Sequence, residues 1–204
     1  MSASHSRGRP PASSQETLQD AAFDLFIEKS YADTSIADIT QRAGVSRATF
    51  FNYFDAKSDV FWVELDRALG QLRELLAAQM APGETLSPRS GLLAVVNALE
   101  SCAGQLQREE VPFALTQYEM IGSINELQAS ALNRFSLIAR LITEFLSESN
   151  LPVGRARAAA YALIAAAISA AQEWASAGTA RDSLQVYLRD SLQPVLEGFA
   201  PEGE

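Results

Sequence analysis

Residues 42–60, with the sequence RAGVSRATFFNYFDAKSDV, combine hydrogen-bonding side chains, aromatic rings and positive charge in a short span. On a helix that turns by about 100° per residue, Phe50 and Phe54 share one face, which predicts that they pack inward. The opposite face carries Ala48, Thr49 and Asn52. Asparagine can bond adenine in a bidentate manner, and the methyl groups of alanine and threonine can contact the thymine methyl. We therefore expect these three residues to face base edges in the major groove of DNA.

The flanks of this helix and the neighbouring helix starts carry groups suited to the phosphate backbone. Arg47, at the helix N-terminus, can reach a guanine or a phosphate, and the Tyr53 hydroxyl can bond a phosphate oxygen. Lys57 begins the next helix, where the N-terminal dipole already favours phosphate, and two hydroxyl residues begin the preceding helix in the same way. The predicted DNA contacts are Thr34, Ser35, Arg47, Ala48, Thr49, Phe51, Asn52, Tyr53 and Lys57.

Three helices must position these side chains. A capping-box pattern at Ser13 and Glu16 predicts a first helix that runs to about Lys29. A second helix is capped at residues 34–35 and ends at Gly44, and Ser46 then caps a third. A helix, a glycine turn and a second short helix make up the helix-turn-helix plan, in which the second helix enters the major groove.

The rest of the chain is also predicted to be helical. We predict one connecting helix at 59–80. The break APGETLSPRSG at 81–91 contains two prolines and two glycines, and it indicates a domain boundary. Pro194 is expected to kink or end the final helix. No strand pattern is found, so the fold class is all-α. Further helices are predicted at about 90–108, 112–122, 125–148, 155–177 and 181–199.

Charge is distributed unevenly. The net charge is -9 and the sequence pI is near 4.7, which argues against indiscriminate binding to nucleic acids. Within residues 1–57, positive charge is nevertheless concentrated in two islands: the stretch from Arg42 to Lys57, and residues 1–12 with Arg7 and Arg9. We expect residues 1–12 to form a disordered basic arm.

Composition makes several other classes of protein improbable. The single cysteine, Cys102, rules out an internal disulfide, and with one histidine, His5, a dedicated zinc site is improbable. We predict no cofactor and no metal. The longest apolar run, 161–171, is too short to span a bilayer and the N-terminus lacks the apolar core of a signal peptide, so we expect a cytoplasmic protein.

The stretch TSIADITQRAGVSRATFFNYFDAKSDVF resembles the N-terminal signature of the TetR family of bacterial transcriptional regulators, and the resemblance covers about residues 14–65. It rests on Gly44-Val45-Ser46, on the aromatic cluster that ends at Phe54, and on Lys57 followed by an apolar Val60. The chain departs from the family pattern where Ala37 replaces a frequent arginine, Thr40 an alanine, Phe51 a tyrosine and Ser30 a glycine.

The resemblance implies a fold and a function. It implies an N-terminal three-helix helix-turn-helix domain at 13–58 and a larger helical domain at 81–204 for effector binding and dimerisation. Such a protein is a homodimer on a pseudo-palindromic operator, usually a repressor, which a small-molecule effector releases. Bound to the operator, a bacterial protein of this kind would associate with the nucleoid.

Two sites are predicted in the C-terminal domain. The resemblance favours a four-helix dimer interface made by the last two helices of each subunit, whereas the alternative is that both helices simply complete the core. The predicted interface residues are Tyr161, Ile164, Ile168, Trp174, Leu184, Leu188 and Leu192. An effector pocket with apolar walls and a few polar tips is predicted among the middle helices, at Phe113, Tyr118, Met120, Asn133, Phe135 and Tyr161.

Two alternatives remain at this stage. A regulator of the same fold without a small-molecule ligand has the same sequence features. A helical-bundle enzyme would need a buried pair of carboxylates, for which Glu100, Glu119, Glu144 and Glu173 are available, but no catalytic motif accompanies them.

Overall fold

The computed structural model describes residues 14–79, 85–105, 112–178 and 181–200. Over those residues it contains ten α-helices and one 3-10 helix, and no strand. The predicted basic arm and the Ser13 half of the first capping box lie outside the described residues. The α-helices are α1 (Ser14–Lys29), α2 (Ile36–Ala43), α3 (Arg47–Phe51), α4 (Val63–Gln79), α5 (Pro88–Ala103), α6 (Phe113–Thr116), α7 (Tyr118–Ser123), α8 (Asn125–Glu148), α9 (Val153–Ser176) and α10 (Leu184–Phe199).

The chain divides into two compact units between Val63 and Glu64. The division falls earlier than the break at 81–91 that the sequence indicated. Helix α4 groups with the C-terminal unit because Leu72 and Leu76 are buried in that unit's core.

An aromatic cluster forms the centre of the N-terminal unit. Phe26 of α1 stacks on Phe61, with ring centroids 5.4 Å apart and an interplanar angle of 10°. Tyr31 and Phe23 also contact Phe61, at 5.9 and 5.7 Å between centroids. Aromatic contacts of this kind add stability beyond the apolar area that they bury.

Local capping signals fix the helix-turn-helix. The Ser35 side chain accepts the Asp38 N–H while the Asp38 carboxylate accepts the Ser35 N–H, which makes a capping box. Gly44 ends α2 with φ 68°, in the left-handed region that favours glycine. Ser46 accepts the Thr49 N–H and begins α3. The predicted caps at Ser35, Gly44 and Ser46 are thus confirmed.

The predicted connecting helix over 59–80 is wrong in its first turn. A 3-10 helix (Lys57–Phe61) precedes α4, and Trp62 separates the two. Residues 60–63 are four consecutive buried side chains. An α-helix packed on one face cannot bury four neighbours in a row, because each side chain turns by about 100° from the last. Packing around Phe61 therefore overrides helix periodicity here.

Helix α9 lies at the centre of the C-terminal unit and packs against α8, α10 and α6, while α5 packs against α8 and α10. The small residues of α9 allow its neighbours to approach closely, since Ala156, Ala159 and Ala160 are fully buried. Gly91 of α5 serves the same purpose, because a Cβ added there would lie 2.5 Å from the Ser149 Cβ.

One further helix prediction needs correction. The segment predicted at 112–122 is two short helices, because the backbone at Gln117 leaves helical geometry with φ -115° and ψ 27°. Helix α10 continues past Pro194 to Phe199, where the predicted span 181–199 also ends, so of the two expected effects of the proline it does not show the helix end. Packing of Leu192 and Leu196 against the core holds this helix on both sides of the proline.

Candidate nucleic-acid interface

Helix α3 has one buried face, which anchors it to the domain, and one exposed face. Phe50 is fully buried and Phe54 is buried, as the helical wheel predicted. Ala48 and Asn52 are exposed, and Phe51 and Tyr53 keep 44% and 46% of their surfaces accessible. The helix is shorter than expected, because Asn52 is already its C-cap. Thr49 is only half-exposed, and its hydroxyl lies 2.9 Å from the Ser46 hydroxyl.

Arg47 and Phe51 form one local structure on the exposed face. The Arg47 guanidinium lies 5.5 Å from the Phe51 ring centroid, and Phe51 packs edge-on against the buried Phe50 at 5.5 Å. A guanidinium stacked on a ring keeps its N–H donors directed outward in its plane, where they can meet a guanine edge or a phosphate. Phe51 therefore supports the arginine that begins α3.

Arg47 is also distinguished by its charge environment. Lys29 lies 3.0 Å from the Asp38 carboxylate, and Arg42 donates to both carboxylate oxygens of Glu28. The Arg42 guanidinium holds the pKa of the Glu28 carboxyl below its usual value. Within residues 14–63, Arg47 is the one basic side chain that neither a carboxylate nor a carbonyl of the described chain engages.

Thr34 does not reach the surface as predicted. Only 2% of it is exposed, and its hydroxyl donates to the Ser30 carbonyl at 2.7 Å. The hydroxyl closes the turn between α1 and α2 and so cannot contact a phosphate. Ser35 is exposed at the N-terminus of α2 and stays a predicted contact, although its hydroxyl already bonds the Asp38 carboxylate at 2.6 Å.

Lys57 also differs from its predicted role. Its ammonium donates to the Tyr31 carbonyl at 2.6 Å and to the Thr34 carbonyl at 2.8 Å, and lies 3.9 Å from the Tyr31 ring centroid. These contacts use two of its three donors inside the unit. In this structure the lysine is a brace between the 3-10 helix and the α1–α2 turn, and not a free phosphate ligand.

Family profiles match both parts of the chain. The profile for bacterial regulatory proteins of the tetR family matches residues 18–61, which contain the whole helix-turn-helix. The profile for the MftR C-terminal domain matches residues 90–200, more than half of the chain.

The chain belongs to the TetR family. It is a DNA-binding transcriptional regulator, as the resemblance implied.

Three relatives show the range of similarity of this TetR-family protein. It is 30% identical to the HTH-type transcriptional regulator BetI of Cronobacter sakazakii, over 72% of this chain and 71% of that one. It is 24% identical to MftR of Mycobacterium tuberculosis, a regulator named for mycofactocin biosynthesis, over 82% of each chain. Among solved structures, the repressor FadR of Thermus thermophilus with lauroyl-CoA matches with a TM-score of 0.61 and 23% identity, covering 93% of this chain and 97% of that one.

Most of the predicted dimer residues are core residues of the single chain. Trp174 is fully buried, and its indole N–H donates to the Asp182 carbonyl at 2.9 Å. Of the predicted set, Tyr161 is exposed and Ile168 half-exposed. The others are buried in the core of the single chain: Ile164, Trp174, Leu184, Leu188 and Leu192.

The predicted effector residues lie on four helices of the C-terminal unit, α6, α7, α8 and α9, and their grouping into one pocket stays a prediction. Asn133 and Tyr161 are exposed, and Phe113, Met120 and Phe135 are half-buried on three different helices, while Tyr118 begins α7. A described groove of about 580 Å³ lies elsewhere, and none of the six residues lines it. The groove is lined by Arg67, Gly70, Gln71, Glu74, Leu75, Ala78 and Gln105.

Helix α9 is long and apolar enough, by length and composition alone, to cross a membrane. It packs between α8 and α10 through fully buried residues such as Leu163. A core role in the C-terminal unit therefore accounts for part of its apolar character.

Proposed function

We propose that this TetR-family regulator is a homodimeric cytoplasmic repressor. Each α3 reads one half of a pseudo-palindromic operator, and a small-molecule effector bound to the C-terminal unit releases the DNA. The observation that carries the proposal is the division of α3 into a buried phenylalanine face and an exposed face with Arg47, Ala48 and Asn52.

The exposed face supports specific contacts. Asn52 offers a bidentate donor and acceptor for adenine, and Arg47 offers paired donors for guanine or for a phosphate. Tyr53, which directly follows the C-cap of α3, and Ser35, at the N-terminus of α2, would position the domain on the DNA backbone. Thr49 and Phe51 complete the surface that would lie in the groove.

A second copy of the chain would cover the exposed apolar side of α9. Only 33% of the most apolar 18-residue window of this helix is buried within one chain. Residues on its outer side follow helical spacing: Ala158, Tyr161, Ala165 and Ile168. Tyr161 leaves 54% of its surface accessible. An apolar stripe of this kind supports an isologous interface, in which the same surface serves both subunits.

Effector control would act through the populations of two arrangements of the dimer. An effector shifts the balance only if it binds one arrangement more tightly than the other. The FadR of similar fold was solved with lauroyl-CoA, so an acyl-CoA is a reasonable first probe. The effector class stays a prediction, as do the pocket residues Phe113, Tyr118, Met120, Asn133, Phe135 and Tyr161.

A binding-site selection with random duplex DNA, followed by fluorescence anisotropy, tests the proposal. We expect a pseudo-palindromic consensus and binding that weakens as salt rises. Sedimentation should give two protomers per operator. A consensus without two-fold symmetry, or one protomer per site, would contradict dimeric reading. Lauroyl-CoA is then titrated into the complex, and release of the operator supports an acyl-CoA effector.

A further inference from the structure

Phe51 contacts both an exposed cation and a buried aromatic ring. The Arg47 guanidinium carbon lies 5.5 Å from the centroid of the Phe51 ring, within the range of a cation–π interaction. Phe50 packs edge-on against the same ring, with an interplanar angle of 83°. Because Phe50 is fully buried, it fixes the position of the Phe51 ring from within the domain.

The chemistry of Phe51 limits how it can influence DNA binding. It leaves 44% of its surface accessible, although its side chain has no hydrogen-bonding atom. Tyr53 is exposed to a similar extent, but its hydroxyl can bond a phosphate oxygen. Phe51 can act only through apolar contact or through the arginine over its ring, and the 5.5 Å distance to the guanidinium favours the second.

The place of Arg47 in α3 favours a base over a phosphate as its partner. It is the first residue of the helix, and the N-terminal residues of a recognition helix are the ones that contact base edges. Guanine presents two acceptors, N7 and O6, side by side in the major groove, and two N–H donors of one guanidinium match them. This two-point contact needs a guanidinium whose plane is held, whereas a phosphate can also be bound by a mobile point charge such as lysine. An aromatic ring against the guanidinium provides that restraint.

We propose that Phe51 is a positioning residue that makes Arg47 the reader of one guanine in each operator half-site. The ring holds the guanidinium, which donates to guanine N7 and O6. An A·T pair at that position keeps the N7 acceptor but replaces O6 by an N–H donor, so one arginine donor is left unpaired. Recognition of the guanine therefore depends on Phe51 and Arg47 together. This inference rests on the proposed reading of DNA by α3, and adds to it the base that is read.

Binding-site selections with the wild type and with Arg47→Ala locate the base pair whose preference depends on the arginine, and we expect it to be G·C. Replacing this pair by A·T should weaken binding of the wild type about tenfold, and that of Arg47→Ala much less. Phe51→Leu keeps apolar bulk without a ring face and should lose most of the tenfold preference, whereas Phe51→Tyr should keep it. In an Arg47→Ala background, Phe51→Leu should not change the preference further, because the ring acts through the arginine.

Lys29→Met is the control, since it removes a positive charge from the same unit and should leave the base preference unchanged. A tenfold preference that survives in Phe51→Leu, or an equal loss on both duplexes, would overturn the positioning role. If Arg47→Ala weakens both duplexes equally and lowers the salt slope by about one, Arg47 binds a phosphate and the inference fails. A consensus without an arginine-dependent guanine defeats this inference alone, whereas a wild type that selects no sequence defeats the proposed function.

A second measurement does not depend on DNA. In the NMR spectrum of the full chain, the ring current of Phe51 should shift the δ-methylene protons of Arg47 upfield. We expect the shift in the wild type and in Phe51→Tyr, and its loss in Phe51→Leu. The same chemical shift in all three proteins would show that the arginine does not lie over this ring in solution, and would contradict the inference.

Discussion

The ammonium of Lys57 contacts Tyr31 twice, donating to its carbonyl at 2.6 Å and lying 3.9 Å from the centroid of its ring. A further bond to the Thr34 carbonyl at 2.8 Å completes the arrangement. The lysine thus joins the 3-10 helix to the α1–α2 turn, and stabilises the surface behind the helix-turn-helix.

We predict that Lys57→Met lowers the stability of the N-terminal unit, while the salt dependence of DNA binding stays the same. The loss should be about 1–3 kcal/mol, because two carbonyls lose a charged donor. Urea unfolding, followed by the fluorescence of the buried Trp62, measures it. Lys29→Met, which removes a partly exposed pair with Asp38, is the control and should cost less. A reduced salt slope with unchanged stability would instead assign Lys57 to a phosphate.

Ser30 is held in a backbone conformation that suits glycine. Its φ is 81°, and its hydroxyl donates to the Asp33 carboxylate at 3.0 Å and accepts the Asp33 N–H. A non-glycine residue in the left-handed region costs about 1–2 kcal/mol. We predict that Ser30→Gly is more stable than Ser30→Ala by about 1 kcal/mol, because only the glycine relieves the strain. Equal unfolding midpoints for the two variants would show that this turn carries no strain.

Asn52 and Tyr53 should affect DNA binding in different ways. Asn52→Ala is predicted to relax the base preference at one position of each half-site, by about 1–3 kcal/mol of discrimination. Tyr53→Phe should weaken binding to all sequences alike, since it removes only a backbone contact. A binding-site selection on each variant distinguishes the two effects. An unchanged consensus for Asn52→Ala would remove that residue from the reading surface.

Residues on the two sides of the last helices should respond differently to charge. Tyr161→Glu on the exposed side of α9 is expected to yield folded monomers, because it places charge in the proposed interface. Leu192→Asp places charge in the core and should unfold the C-terminal unit instead. Sedimentation and circular dichroism together separate the outcomes. A Tyr161→Glu protein that remains dimeric would locate the interface on another surface.

Cys102 should react slowly in the folded protein. Burial raises the pKa of its thiol to about 11, and the thiol donates to the Ala68 carbonyl at 3.6 Å. At pH 8 only about one molecule in a thousand would carry the reactive thiolate. Iodoacetamide should therefore label the native protein far more slowly than the unfolded one, and equal rates would contradict the burial.

The raised pKa of Cys102 also predicts the direction in which the stability of the protein changes at alkaline pH. The folded protein holds the thiol proton more tightly than the unfolded chain does. The protonated thiol therefore contributes to the free energy of unfolding below the unfolded pKa, and this contribution is lost as pH rises through 9 toward 11. Cys102→Ala should show a smaller loss of stability over that range than the wild type. Unfolding measured at pH 8 and pH 10.5 provides the comparison.

Local signals were sufficient to predict the helix-turn-helix. The caps at Ser35 and Ser46, the left-handed Gly44, and the inward Phe50 and Phe54 depend on neighbours within a few residues. Their physics is contained in a short window of sequence, and each appears in the structure as expected.

Contacts between distant residues were not predictable in the same way. Lys57 lies 26 residues from Tyr31, and the sequence near Lys57 contains no sign of that carbonyl. Thr34 is a nearer case, because its hydroxyl donates to the carbonyl of Ser30, four residues before it, in the turn between α1 and α2. Helix α9 posed another difficulty. It is apolar on several faces, so its periodicity could not tell which face enters the core.

Helix α3 has five residues, a length of about 7.5 Å, which corresponds to roughly two base-pair steps. Such a short element cannot by itself single out one promoter in a genome, and the proposed dimer would gain discrimination by pairing two of them. Where most of the protein is monomeric, occupancy of an unsaturated promoter by the dimer would then rise with the square of the protein concentration. Doubling the amount of protein would raise that occupancy about fourfold, so the cell can adjust the regulated genes sharply through synthesis of the regulator.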